Sequence, residues 1–257
     1  MIDPSTLLIT GAASGIGRAV AARFAARDWV VGLADQNSEA LATVKERLRT
    51  DRVHTYPLDV RDRHAVRSVV KQFGEVTDGR LDVLVNSAGV MSVGRFEETD
   101  LDAHQNHLAV NLWGVMTTAH AAFPLLKNTP GARMVSIASA SGLYGTPEIA
   151  SYSASKAGVR SLTQSLNLEW TRHDIHVCDV IPSYVDSPMT QSVPETKSME
   201  RLGVLLTPDD VADVVDEAVQ NEKIHWPVGN QLSWLYRASE VLPSALNRLL
   251  MRYVSGF

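Results

Sequence analysis

Only one cysteine, Cys178, occurs in the 257-residue chain. That excludes an internal disulfide or a zinc site built on several thiolates, and it fits a reducing compartment. Its surroundings, "IHVCDVI", read as a buried strand in which the thiol is a small apolar side chain. Positive charge is scarce as well: 24 Lys and Arg against 29 Asp and Glu leave a net charge of −5. This argues against nucleic acid as a partner, because binding a phosphate backbone needs a basic patch or stripe. Apolar residues nowhere run on for the roughly 20 positions that span a bilayer. The start, "MIDPSTLLIT", lacks a basic n-region, a long apolar segment and a small-residue cleavage site. The expected location is cytoplasmic. Linkers, fixed-period repeats and low-complexity tracts are also missing, so a single domain over residues 1–257 is expected.

What remains is an ordinary globular composition, 45% hydrophobic and 21% charged, organised by alternation. Short apolar or β-branched runs recur at "LLIT", "VVGLA", "VHTYPL", "LDVLVN", "RMVSIAS" and "IHVCDVI". They lack clean polar alternation, as strands covered on both faces do. Helical patterns lie between them over residues 15–27, 38–49, 62–74, 100–127 and 152–173. The pattern predicts an α/β fold, a doubly wound parallel sheet of Rossmann type with about seven strands and helices on both faces. "IHWPVGN" reads as the last strand. The Pro-, Ser- and Met-rich stretch at about 184–203 is expected to be a substrate loop.

Directly after the first strand comes "TGAASGIG", running into the helix "RAVAARFAA". Gly11, Gly15 and Gly17 permit close backbone approach, and a helix N-terminus offers free N–H groups to a pyrophosphate. The spacing is not G-x-G-x-x-G, since Val20 stands at the third position of that pattern. A ligand-free glycine turn is the other reading of the motif alone. Asp35 closes the second strand, about where an acidic side chain accepts hydrogen bonds from the adenosine ribose. A carboxylate there repels the extra phosphate of NADP, so NAD is favoured. Arg18, beside the turn, reads as a surface or packing residue.

In "SYSASKAG", Tyr152 and Lys156 are four residues apart and share one helix face. Six tyrosines and six lysines in a chain of this length would produce such a pair by chance in about one sequence of seven. A cation beside a phenol favours phenolate, and lowering a phenol from about 10 to about 7 takes roughly 4 kcal/mol. A positively charged nicotinamide ring is the natural second contributor. Ser139 sits thirteen residues upstream at the carboxyl end of a strand, where doubly wound sheets bind ligands. Asn111 lies in the helical "LAVNLWG" and Asn86 to Gly89 end the fourth strand in "NSAG".

Taken together, "TGAASGIG", "NSAG", "VNLWG", the interval from Ser139 to Tyr152 and "YSASK" resemble the short-chain dehydrogenase/reductase family of about 250 residues, as far as about Ser187. The resemblance implies an NAD-dependent oxidoreductase acting on CH–OH donors. It makes Tyr152 general acid for ketone reduction and general base for alcohol oxidation. Lys156 would lower the Tyr152 pKa and hold the nicotinamide ribose, Ser139 would polarise the substrate oxygen, and Asn111 would anchor a proton-relaying water. It assigns cofactor contacts to Gly11, Ser14, Gly15, Ile16, Gly17, Asp35, Asp59, Val60, Asn86, Ala88, Gly89, Pro182, Val185 and Ser187 besides Tyr152 and Lys156. Asp59 would meet the adenine amino group; Asn86, Ala88 and Gly89 would line the adenosine side. Two departures stand out: Ser183 for the usual Gly in "PSYVDS", and Ser87 for the usual Asn in "NSAG". The resemblance also implies a homodimer or homotetramer through the helices of Asn111 and Tyr152, for which Ala154, Ala157 and Gly158 allow close approach.

Other residues read as structural. His104 and His107 lack acidic or thiol partners at ligand spacing, so no metal is expected and both read as solvated helix residues. Trp29, Trp113 and Trp170 read as packing, and "EET" at 97–99 as an exposed helix start. Tyr144 is divided evenly between pocket lining and packing. Near the end, Leu246, Leu249, Leu250, Tyr253 and Val254 form one apolar stripe with Arg248 and Arg252 off it. The extension at about 231–257, with Leu232, Leu235 and Tyr236, can cover the core, a partner or the pocket, with a membrane surface as the rarer use. Its apolar character and the 184–203 loop point to a hydrophobic substrate, sterol-like or long-chain. The opposing function is a dinucleotide-binding regulator or scaffold on this fold without turnover.

Overall fold

A computed structural model describes residues 5–203, 206–229, 232, 233, 236 and 244–255, with only the backbone of Leu202, Ser244, Asn247, Leu250, Met251, Val254 and Ser255. The strands are β1 (Thr6–Thr10), β2 (Val30–Asp35), β3 (Val53–Pro57), β4 (Val83–Asn86), β5 (Arg133–Ile137), β6 (His176–Ile181) and β7 (His225–Pro227). They form one seven-stranded sheet in the order β3-β2-β1-β4-β5-β6-β7, parallel at every pairing. The expected doubly wound sheet is therefore present. The order in which successive strands are added reverses between β1 and β4, which opens a crevice at their carboxyl ends, where such sheets take ligands.

Both faces of the sheet are covered because successive strand residues point to opposite sides. Leu7, Ile9, Val83, Val85 and Cys178 meet Val20 and Phe24 of α1 (Gly15–Ala25), Leu41 of α2 (Ser38–Leu48) and a helix at Pro208–Gln220. Leu8, Leu84, Met134 and Val177 meet Phe73 of α3 (Arg63–Val76), Leu126 of the helix Gly114–Lys127 and Trp170. Short polar side chains start the helices: Asn37 accepts from the Ala40 N–H at the head of α2, and Asp62 accepts from His64 and Ala65 at the head of α3.

The helix expected over 100–127 is divided. It runs as α4 (Leu101–Leu108), a π-helical turn at Ala109–Trp113, and α5 (Gly114–Lys127). Such turns insert one residue and concentrate at functional sites. Here the turn brings Asn111 fully inside. At Gly114 a Cβ would stand 2.7 Å from the Val60 side chain, so only glycine allows this approach. The same turn leaves Trp113 51% exposed, correcting its expected packing role, whereas Trp170 is buried and Trp29 packs edge-on against Phe24.

Tyr152 and Lys156 lie in α6 (Ala150–Trp170). The 184–203 segment holds two short helices, α7 (Pro188–Gln191) and α8 (Lys197–Leu202), and Thr207 with Asp210 forms a capping box that starts α9 (Pro208–Gln220). A last helix, α10 (Ser244–Ser255), packs on α8, with the Arg201 guanidinium 5.1 Å from the Tyr253 ring centroid. Leu246, Leu249 and Tyr253 of its expected stripe are exposed; the side chains of Leu250 and Val254, and all of Leu235, lie outside the described residues. No described helix is long and apolar enough to cross a membrane.

Candidate active site

Two adjoining cavities open at the carboxyl edge of the sheet. The first, of about 280 Å³, is walled by Gly11, Ser14, Gly15, Ile16 and Gly17 from the glycine turn, Asp35 from β2, Asp59 and Val60 after β3, Ala88 and Gly89 after β4, and Ser187. Gly11 has φ +69° and its Cβ would fall 2.7 Å from Ala88; a Cβ on Gly17 would fall 2.0 Å from the Gly11 carbonyl oxygen. These glycines seat α1 tightly against β1 and β4, and its N-cap, Ser14, makes no side-chain capping bond. The free N–H groups of that first turn, with no acidic residue in it, suit a diphosphate. The residues present fit a dinucleotide.

At the far end of this cavity Asp35 is held in place, its carboxylate accepting from the N–H groups of Ala13 (3.1 Å) and Asn37 (3.0 Å). Asp59 is gripped by Arg61 through Nε at 3.0 Å and Nη2 at 2.6 Å, and that guanidinium, chiefly through its hydrogen bond, holds the Asp59 carboxyl below the usual range. Arg61 also walls the cavity; it escaped the sequence reading, although its place two residues after Asp59 was a usable signal. Arg18 is exposed, as expected. Asn86 does not line the cavity. Its carboxamide turns into the core, accepting from the Thr118 hydroxyl at 2.5 Å.

The second cavity, of about 220 Å³, contains Ser139, Tyr152 and Lys156 and shares Ile16, Ser87, Gly89, Ser187 and Met189 with the first. Its remaining wall is mainly apolar, with Met91, Leu143, Ile149 and Leu232 prominent, and Lys156 is its one charged side chain among the described residues. Tyr144 lines it, which decides that residue for the pocket. Pro182, Ser183 and Val185 line it too. Ser183 keeps φ outside the left-handed region, so the backbone here does not require the glycine it replaces. Tyr184 reaches in from the same loop and shares a hydrogen bond of 2.7 Å with Ser198 of α8.

The chemistry-bearing groups are fixed from several elements. Ser139 lies two residues past the end of β5, and its Oγ accepts from the N–H (3.2 Å) and hydroxyl (3.0 Å) of Ser141, which leaves its own proton for the Tyr152 phenol oxygen. Asn111 accepts from the Val90 N–H at 2.8 Å and donates to the Val90 carbonyl at 3.0 Å and Ser155 Oγ at 3.1 Å. Ser155 in turn donates to the Tyr152 carbonyl at 2.6 Å. Lys156 donates to the Ile137 carbonyl at 2.8 Å, with its Nζ 5.7 Å from the Tyr152 ring centroid.

Burial pushes the Tyr152 phenol up to about 12, against the downward pull of its hydrogen bond with Ser139. Burial pushes the Lys156 ammonium down to about 8. Burial is the largest influence on the phenol, and the Lys156 ammonium beside it donates to the Ile137 carbonyl.

No group of three or more metal-ligating side chains occurs among the described residues. The expected solvation of His104 and His107 is corrected: His107 is 3% exposed and His104 is half-buried. The π turn and the packing of α4 on α6 enclose them.

Comparison with known proteins matches residues 5–198 to the short chain dehydrogenase family model. The 3-oxoacyl-[acyl-carrier-protein] reductase of Thermotoga maritima is 35% identical over 83% of this chain and 89% of its own length. Among solved structures, an alcohol dehydrogenase from Thermococcus sibiricus complexed with 5-hydroxy-NADP aligns with TM-score 0.77 and 26% identity, over 88% of this chain and 95% of that one. A 3-ketoacyl-(acyl-carrier-protein) reductase from Brucella melitensis complexed with NADH shares the fold, with TM-score 0.79, 24% identity, and coverage of 89% and 98%.

Proposed function

Because the chain belongs to the short-chain dehydrogenase/reductase family, we propose that this oxidoreductase transfers a hydride between NAD(H) and a neutral, largely apolar secondary alcohol or ketone. One observation carries the reading: a buried phenol and the serine hydroxyl hydrogen-bonded to it converge in an apolar cavity that adjoins a diphosphate-fitting turn. The dinucleotide supplies or accepts the hydride when bound. Tyr152 protonates the carbonyl oxygen in reduction and removes the alcohol proton in oxidation, for which the bound cofactor and Lys156 must offset the burial that raises its pKa. Ser139 donates to the same oxygen. Lys156 orients the ribose beside it, and Asn111, braced on Val90, holds the inner end of the proton path. Gly11, Ser14, Gly15, Ile16 and Gly17 take the diphosphate, and Asp35 the ribose, whose 2′-phosphate it would repel. Asp59, Val60, Ala88 and Gly89 take the adenosine, while Pro182, Val185 and Ser187 take the nicotinamide side.

The apolar wall supports a hydrophobic substrate body. A 3-oxoacyl thioester, suggested by the name of the Thermotoga relative, is the second candidate, since an acyl chain suits the same wall. A panel of 2-propanol, 2-octanol, cyclohexanol and a 3-hydroxysteroid with NAD⁺ and with NADP⁺, and acetoacetyl-CoA with NADH and NADPH, separates these readings by kcat/KM. Turnover of the larger alcohols with NAD⁺ supports the first; turnover confined to the thioester supports the second. Tyr152→Phe abolishes turnover and leaves NADH binding by fluorescence nearly unchanged, because only one oxygen is lost. More than a tenth of the wild-type kcat in that variant discards the assignment, and NADH binding without turnover across the panel favours the regulator reading. A homodimer or homotetramer in the cytoplasm completes the proposal, supported by the exposed Trp113, Met116 and Leu168; light scattering gives its mass.

A further inference from the structure

Three side chains outside both cavities form a hydrogen-bonded cluster directly behind Tyr152. The hydroxyl of Ser151, the residue preceding it, lies 2.7 Å from Nδ1 of His107 and 2.7 Å from Nδ1 of His104. The Ser92 N–H donates to His107 Nε2 at 3.0 Å, and His104 Nε2 lies 3.0 Å from the Phe96 carbonyl oxygen. The His107 ring stands nearly perpendicular to the Tyr152 ring, at 82° with centroids 6.2 Å apart.

The main-chain groups at the two ends settle where the protons are. An amide N–H can only donate, so His107 Nε2 must accept and Nδ1 carries the proton of the neutral ring. A carbonyl can only accept, so His104 Nε2 carries a proton, and in the Nε2–H tautomer Nδ1 accepts. The single Ser151 hydroxyl then fits in one way, accepting from His107 and donating to His104. The chain reads Ser92 N–H to His107, His107 to Ser151, Ser151 to His104, and His104 to the Phe96 carbonyl. Burial and the neighbouring His104 both lower the His107 pKa, in the same sense.

The cluster sits where α6 needs an anchor. The N-cap of α6, Ile149, provides no side-chain capping bond, yet the first turn carries Tyr152. We propose that His107 is a positioning residue for the reaction: through this one-way relay with Ser151 and His104, and through its ring contact, it fixes the first turn of α6 and the orientation of the Tyr152 phenol toward Ser139. The proposal rests on the role of Tyr152 given above.

Two experiments test it. On the wild-type protein, imidazole ¹⁵N NMR reads the tautomers directly. The relay requires the Nδ1–H form at His107 and the Nε2–H form at His104, and an Nε2–H tautomer at His107 overturns it whatever the variants do. For turnover, NAD⁺ is used with whichever panel alcohol the wild type oxidises fastest. His107→Phe keeps a ring against Tyr152 but breaks both hydrogen bonds, and should lower kcat by about 10- to 100-fold with KM and NADH binding within about twofold. Ser151→Ala should match it, and the double variant should be no worse than either single one, as expected of one coupled unit. His107→Asn keeps a donor at the Nδ1 position and should recover most of the lost kcat. Unchanged kcat in folded His107→Phe overturns the proposal, as does a loss in KM alone or no recovery in His107→Asn. Activity remaining in Tyr152→Phe instead removes the functional reading beneath it, which keeps the two failures distinct.

Discussion

Lys156 and Asp179 are both buried ionisable groups at the sheet, and their surroundings differ in the respect that matters. Asp179, on β6, faces His225 on β7 at the paired register, with His225 Nδ1 at 2.9 and 3.0 Å from its two carboxylate oxygens. Gln164 from α6 meets the other ring nitrogen at 3.0 Å. Burial raises the Asp179 pKa, and the hydrogen bond and charge of His225 oppose that rise. Lys156 has no carboxylate partner among the described residues; it has a carbonyl and a phenol. A paired buried charge is a device for holding a short edge strand. An unpaired one beside a cavity is a cost that folding alone does not explain, which is how sites of chemistry are recognised.

The largest effect that separates the two is on turnover. Lys156→Met should lower kcat by about 10²-fold, the cost of misplacing reacting groups once the cation that orients the ribose is gone, without weakening the fold. Burial pushes the Lys156 ammonium down to about 8 from the 10.5 of an ordinary lysine, so between those values the unfolded chain binds more protons. Stability from this group therefore rises with pH across that window and is lost as pH falls through 8. Tyr152, near 12 against 10.0, gives the opposite slope between those values. Urea titrations from pH 7 to 10 should show the wild type gaining on Lys156→Met as pH rises. Parallel curves would mean that Lys156 is not desolvated.

Next in size is Asp179→Ala, which leaves the partly buried His225 ring without its acceptor. Breaking a buried pair from one side costs about 3–5 kcal/mol, and the urea midpoint should fall accordingly. The kcat of the fraction that stays folded should remain within about twofold, since Asp179 lines neither cavity. A kcat loss equal to that of Lys156→Met would abolish the contrast between a structural and a chemical buried charge.

Legibility in the sequence follows the same division. Tyr152 and Lys156 are four apart on one helix, and the glycine turn is continuous, so local spacing displays them. The strand runs were readable because strands buried on both faces are apolar throughout. Asp179 and His225 are 46 residues apart and meet through a three-residue edge strand, a register that no local pattern encodes. His107 looked solvated beside Gln105 and Asn106, and only the π turn and the packing of α4 on α6 bury it. The signal that was available is the interval of three between His104 and His107, which puts both on one face. Asn86 was readable by parity: β4 sends Val83 and Val85 to one core and Leu84 to the other, so Asn86 follows Leu84 toward α5.

The smallest expected effect is the sharpest test of what Asp179 contributes. Asp179→Asn removes the charge whose burial is costly and keeps an oxygen that accepts from His225 Nδ1–H. Burial is the largest influence on Asp179, so loss of the ionic attraction is largely offset by relief from desolvation, and stability should change by only about 1 kcal/mol, the worth of one ordinary hydrogen bond. The pH dependence shows which part was lost. The raised Asp179 pKa makes its contribution to stability present below the carboxylate's ordinary range and lost as pH rises through the folded value; in Asp179→Asn that slope disappears. If Asp179→Asn is instead as damaging as Asp179→Ala, the pair holds β7 by charge, and the difference from Lys156 becomes one of partner alone.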